Sequence, residues 1–163
     1  MSEAAAETWD GLARAAAAPG GAEQAELVRE LLCFTVDGDP YAVPVERIRE
    51  IVRLKSITEV PRVPDEILGI ISLRGEVVQV LDLRLRLGVP ATELTRTHRI
   101  VVLHGDEGEV TGLLVDTVSE VLRVEEASVQ PPATGDSEFV AALCRRGDHF
   151  VGLLNLEKVL DLG

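Results

Sequence analysis

Three histidines, two cysteines and an excess of carboxylates are the side chains of this sequence able to bind a metal or move a proton. His98, His104 and His149 show no metal-ligand spacing among themselves or with Cys33 and Cys144. His98 and His104 are an even number of residues apart and would share one face of a strand. Two ligands still need a third, with groups behind them to orient the rings. The chain has no Gly-rich phosphate loop and no nucleophile elbow. Its carboxylates fall mostly in turns, where solvation accounts for them. No catalytic residue, metal or cofactor is expected, and an enzyme would need a site of unfamiliar pattern.

The informative charges are those set inside apolar runs. Glu50 lies between Ile48 and Ile51-Val52, and Arg74 between Leu73 and a Gly75-Glu76 turn. A charge is costly to bury unless it is paired. Either each group points into solvent at a hairpin end, or the two pair at a partner-binding surface. The residues alone leave both open.

Short strands must position these groups. Leu68 to Gly88 holds two β-branched apolar runs, Ile70–Leu73 and Val77–Leu81, separated by Arg74-Gly75-Glu76, which reads as a hairpin. Leu83, Leu85 and Leu87 alternate with Arg84 and Arg86, fitting a strand or a short helix, and Gly88 and Pro90 end it either way. A lone hairpin is marginal in water, so a sheet or barrel must surround this one.

The rest of the chain supplies a second copy. Val45–Ile51 and Val115–Val121 share the order apolar, acidic, x, apolar, x, Glu, apolar, and a proline (Pro61, Pro131) stands 11 residues after each glutamate. Arg74-Gly75-Glu76 is matched by Arg146-Gly147-Asp148, and Asp82-Leu83 by Asn155-Leu156. Landmarks in one order point to an internal duplication, in a unit too long for a solenoid repeat.

Further elements follow from local signals. Leu27, Val28, Leu31 and Leu32 fit a short helix over Glu23–Leu32. Asp37-Gly38-Asp39-Pro40 turns a hairpin between Leu31–Val36 and Tyr41–Val45. Val45–Glu50 makes a helical turn with Ile48 and Ile51 on one side. Ile57–Val63 is irregular or an edge because of its prolines, and Asp65–Leu68 is a single helical turn. Ala91–Thr97 is a polar connection. Beyond it come a hairpin of Arg99–His104 and Val110–Asp116, a strand at Val118–Val124, a loop at Pro131–Asp136, and a hairpin of Val140–Cys144 and His149–Leu154. A short helix capped by Asn155 closes the chain. Many short strands with little helix indicate small barrels or sandwiches.

Aromatic residues make up only 3% of the chain, so Val, Leu and Ile must form the core. The formal net charge of −12 opposes binding to nucleic acid or to an anionic membrane surface. No apolar run is long enough to span a bilayer, and the N-terminus lacks the features of a signal peptide. Cys33 and Cys144 sit in apolar surroundings and are expected as buried free thiols. A cytoplasmic location follows. Residues 1–30 form an Ala-rich tail whose Trp9 and Leu12 are too few to build a core, and a partly helical or disordered segment is expected.

The residues from Leu32 to Leu160 resemble the CheW-type chemotaxis coupling proteins. The family's Tyr after an acidic turn is matched by Tyr41, its Glu-Ile pair by Glu50-Ile51, and its Pro-containing segment by Pro61 and Pro64. Its Gly-Val-Ile-Asn-Leu-Arg-Gly stands here as Gly69-Ile70-Ile71-Ser72-Leu73-Arg74-Gly75, and its Val-Ile-Asp-Leu-Arg as Val80-Leu81-Asp82-Leu83-Arg84. Gly112 to Val121 and Asn155 to Lys158 match as well. Ser72 replaces the usual Asn, Gln79 the usual Pro, and the tail has no counterpart.

This resemblance implies an all-β fold of two SH3-like, five-stranded barrels related by duplication, with short helices, over residues 31–163. The first barrel would cover about 32–90 and the second about 98–160. It further implies a non-catalytic adaptor that binds the cytoplasmic tip of chemoreceptors and the regulatory domain of a CheA-type histidine kinase. Carried over by position, Ile48, Glu50, Arg74, Gly75 and Ile100 fall on the receptor side, with Ile100 lining a groove near the barrel junction. Ile57, Glu76, Val77, Gln130 and Pro131 fall on the kinase side. Two other readings stay open. One is a scaffold of the same fold in a non-chemotaxis kinase pathway, or one lacking an interface. The other is a small ligand-binding barrel or enzyme.

Overall fold

The computed structural model describes residues 28–105, 107–132 and 138–162. Expectations for Trp9, Leu12 and residues 23–27, and for positions 133–136 of the Pro-rich loop, lie outside them.

Strand β1 (Val28–Val36) and strand β2 (Asp39–Pro44) pair around Asp37-Gly38, whose φ angles of 54° and 81° make the primed turn that an Asp-Gly pair favours. The helix expected to run through Leu32 is replaced by the start of β1. This strand buries both faces: Leu31 and Cys33 enter one core, and Leu32, Phe34 and Val36 enter another. Two-sided burial makes consecutive positions apolar and mimics helical spacing.

A 3₁₀ turn covers only Val45–Arg47, and strand β3 (Ile48–Arg53) then begins, so the helical turn is shorter than expected. Ile48 and Ile51 nevertheless share a face. A bulge at Arg49 pairs Ile48 with Leu103 and Ile51 with Val101. Asp65-Glu66 makes only a bare turn, and Ile67 and Leu68 already belong to strand β4 (Ile67–Leu73). Strand β5 (Glu76–Asp82), helix α1 (Leu83–Arg86), β6 (Arg99–His104), β7 (Val110–Val115) and β8 (Thr117–Glu125) follow. After them come β9 (Val129–Gln130), β10 (Val140–Arg146), β11 (His149–Leu154) and helix α2 (Leu156–Val159).

Two SH3-like barrels result. One has the strand order β3-β6-β7-β5-β4 (barrel I); the other has the order β8-β1-β2-β11-β10-β9 (barrel II). Barrel I closes where the chain after β3 returns along β4, with Thr58 and Ile70 exchanging backbone hydrogen bonds of 2.9 and 2.8 Å. Gly69, at φ 150°, permits that approach, since a Cβ there would lie 2.1 Å from the Thr58 carbonyl oxygen.

The barrels do not follow the division into 32–90 and 98–160. The first hairpin of each half is exchanged: β1–β2 completes barrel II through a parallel β2–β11 pairing, and β6–β7 completes barrel I through a parallel β5–β7 pairing. The exchange places β1, β2, β6 and β7 away from the sheet edges, each with one face in a barrel interior and the other in the junction. Leu32, Phe34, Val43, Val101, Leu103 and Leu113 meet in that junction, while separate clusters around Cys33 and Ile100 fill barrels II and I. The duplication itself persists, because β6, β7, β8, β10 and β11 take the places of β1, β2, β3, β4 and β5 in matching neighbour order. Fragments 1–94 and 95–163 should therefore be unfolded apart and recover a cooperative thermal transition when mixed. Cooperative melting of either fragment alone would contradict the exchange.

Polar contacts seal the junction. The Asp116 backbone N–H donates to the Thr35 carbonyl at 3.0 Å, and its side-chain Oδ2 accepts from the Asp37 backbone N–H at 2.8 Å. His98 is buried; its Nδ1 accepts from the Thr95 N–H at 3.0 Å, and its Nε2 lies 3.5 Å from Asp116 Oδ1 with no hydrogen bond between them. Cys33 and Cys144 are buried free thiols in barrel II, and burial pushes the Cys33 thiol up to about 11 and raises that of Cys144. Among the described residues no helix is long and apolar enough to cross a membrane.

Candidate partner-docking site

The Arg74-Gly75 turn between β4 and β5 has φ angles of 52° and 83°, so a non-glycine residue occupies the left-handed region at its first position. This geometry directs the Arg74 side chain back across the barrel closure to edge strand β3. There its Nε and Nη2 donate to the two carboxylate oxygens of Glu50 at 3.0 and 3.1 Å. Of the two arrangements left open by the sequence, the pair is therefore the one formed. It lies at the surface, with the Arg74 side chain 69% exposed and that of Glu50 19%. Beside it, Arg49 pairs with Glu76 at 2.7 Å.

The Arg74 hydrogen bond, followed by the charges of Arg74, Arg49 and Lys55, outweighs desolvation and holds the Glu50 carboxyl below its ordinary value of 4.5. The same bond raises the pKa of Arg74. A lowered folded-state value means that the pair stabilises the fold above the unfolded glutamate pKa, and that this support fades as pH falls through the folded value. An NMR titration should find the Glu50 carboxyl below 4.5 in the parent protein and back near 4.5 in Arg74→Ala. An unchanged titration would show that the pair does not form in solution.

Two exposed apolar side chains flank these charges, Ile51 on β3 and Val77 on β5, the latter 69% exposed. Val77 also borders an open recess of about 390 Å³ lined by Val60, Val63, Ile67, Ile70, Gln79 and Val110. Ile67 and Val63 tie its floor to the junction core. With Gln79 as its one polar lining residue, the recess suits an apolar side chain of a docked partner rather than acid–base chemistry. Among the described residues no three His, Cys, Asp or Glu side chains are grouped to hold a metal ion.

Barrel II repeats the arrangement. Glu120 on β8 pairs with Arg146, and Val121 and Phe150 are exposed where Ile51 and Val77 stand in barrel I. The two arginines reach their glutamates from positions one residue apart. Arg146 is the last residue of β10, opposite His149, and so corresponds to Leu73 rather than to Arg74. The exposed Val121 and Phe150 escaped the sequence reading, although Val121 follows Glu120 just as Ile51 follows Glu50.

The expected receptor-side residues Ile48, Glu50, Arg74 and Gly75 are brought together on barrel I, with Ile48 half-buried against the junction core. Ile100 is not available to a partner. It is fully buried in the interior of barrel I, where its Cγ2 fills the space over Gly112. Strand alternation turns it inward, opposite Val52. The expected kinase-side residues divide between barrels. Glu76 and Val77 are exposed on barrel I, Gln130 and Pro131 are exposed on barrel II, and Ile57 is half-buried against the barrel I interior.

The CheW-like domain model matches residues 30–162. A chemotaxis protein CheW of Rhizobium meliloti is 38% identical over 117 residues, covering 72% of this chain and 75% of that protein. The chemotaxis protein CheW of Helicobacter pylori is 30% identical over 142 residues, covering 85% of each. The crystal structure of the scaffolding protein TtCheW from Thermoanaerobacter tengcongensis superposes with a TM-score of 0.77 at 30% identity, covering 83% of this chain and 94% of that one. With a family model spanning both barrels and relatives aligned along most of the chain, this protein belongs to the CheW-type family of chemotaxis coupling proteins.

Proposed function

We propose that the protein is a non-catalytic cytoplasmic adaptor that couples the cytoplasmic tips of chemoreceptors to the regulatory domain of a CheA-type histidine kinase. The observation carrying this reading is the duplicated docking edge: an exposed Glu–Arg pair with two exposed apolar side chains on each barrel. Paired charges beside exposed apolar side chains are the chemistry of a docking surface, and barrel I carries residues of both sides. Ile48, Glu50, Arg74 and Gly75 serve the receptor side, and Ile57, Glu76, Val77, Gln130 and Pro131 the kinase side. Small apolar patches rimmed by paired charges suit interfaces of modest area that exchange readily. A signal then passes as a shift in the geometry of docked partners. Binding measured separately to a receptor-tip fragment and to a kinase regulatory domain tests the reading. Both should bind, and together they should form a ternary complex. Failure of either partner to bind would overturn it.

A further inference from the structure

The two barrels differ at one pair of equivalent positions. In barrel II, Arg123 on β8 stands opposite Glu30 on β1, and the two form an ion pair at 3.1 Å. The register that sets Glu120 opposite Cys33 in barrel II sets Glu50 opposite Val102 in barrel I. Continuing along both strands, the place of Arg123 and Glu30 is taken in barrel I by Arg53 and Arg99. Two like charges directly opposite each other on neighbouring strands repel. Among the described residues neither is in an ion pair, although carboxylates outnumber cations in the chain by 28 to 16.

The guanidinium of Arg99 is fixed in place, its Nη1 donating to the carbonyls of Arg96 and His98 at 2.7 and 2.9 Å. Arg53 is exposed. Ile51, exposed two residues before Arg53, is paired with the buried Val101 and so lies on the same outer face at the rim of the junction. Two guanidinium forks beside an apolar side chain match a partner segment with a carboxylate next to an aliphatic group. An external carboxylate between the forks would turn repulsion into two charge-assisted contacts.

We propose that Arg53 and Arg99, with Ile51, form a docking surface for an acidic segment of the chemoreceptor tip. This inference rests on the adaptor reading above. It is placed on the receptor side because Ile48, opposite Leu103, lies on the same face of β3 as Ile51 and Arg53. A second copy of this chain, at net charge −12, is repelled overall.

Arg53→Glu tests the inference, because it sets a carboxylate opposite Arg99 and so gives barrel I an opposite-charge pair where barrel II has Arg123 and Glu30, with the signs exchanged between the strands. The variant should melt about 1–4 °C higher than the parent and bind a receptor-tip fragment about tenfold or more weakly, with a shallower dependence on salt. Its binding to the kinase regulatory domain should be unchanged. Unaltered receptor binding, a loss confined to the kinase domain, or no rise in melting temperature would each overturn the inference while leaving the adaptor reading intact. A parent protein that binds no receptor tip would instead bring down the adaptor reading, and this surface with it.

Discussion

Asp82→Ala should lower the stability of the protein by about 3–5 kcal/mol, read as a fall in melting temperature of roughly 6–20 °C for a chain of this size. Asp82 is completely buried and Arg84 is only 3% exposed. The Arg84 Nε and Nη2 donate to the two oxygens of Asp82 at 3.0 and 2.9 Å, and Nη1 donates to the Thr92 carbonyl at 2.9 Å. The hydrogen bonds that Arg84 donates to Asp82, against the opposing effect of burial, raise the pKa of Arg84, so the guanidinium stays charged at any working pH. Truncating Asp82 leaves a buried cation without its counter-ion. It also removes the cap of α1, since Asp82 Oδ1 accepts from the Arg84 backbone N–H at 3.0 Å. Asp82→Asn separates the two losses. An amide can cap, as Asn155 does for α2 by accepting from the Lys158 N–H, but it carries no charge. The asparagine variant should therefore retain most of the loss. If it melts like the parent, capping rather than ion pairing is what Asp82 contributes.

The parts legible in the sequence are those that local chemistry dictates. Asp37-Gly38 and Arg74-Gly75 name their turns and Asn155 caps its helix, whereas the cap that Asp82 provides and the inward setting of Ile71 and Leu73 come from the structure. The repeated Glu and Arg landmarks marked where charges recur, but they left the Glu50–Arg74 pair open and gave no sign of the Glu120–Arg146 pair; both form. Periodicity specifies which face of a strand is buried but not which strand lies beside it. The exchange of the first hairpins depends on the parallel pairings of β5 with β7 and β2 with β11, joined across long stretches of chain, and no turn signal encodes them. The start of β1 was obscured for a related reason, because burial on two faces gives Val28, Leu31 and Leu32 the spacing of a helix. Ile100 was assigned to a groove by its place in a family pattern, whereas the alternation of β6 against Val52 sets it inside the barrel. The like-charged Arg53 and Arg99 are far apart in sequence and meet only through that same register.

Arg74→Ala should fold as the parent does and lose about tenfold or more in affinity for the receptor tip, the loss typical of an interface arginine. Its guanidinium is mostly in solvent, and the carboxylate it holds lies at the surface, so water replaces the pair when the side chain is removed. The neighbouring Arg49–Glu76 pair still joins β3 to the start of β5, and the Thr58–Ile70 hydrogen bonds still close the barrel. What the mutation removes is a fork held in one direction by a turn that can point nowhere else. Binding draws on that preorganisation, because the ordering of the side chain has already occurred in the free protein. Arg74→Gly makes the test stricter. Glycine adopts the φ of 52° without penalty, so this variant should match or exceed the parent in stability while losing binding equally. Variants that melt clearly below the parent would make Arg74 a structural residue. Stable variants that bind the receptor tip and the kinase domain normally would remove it from both interfaces.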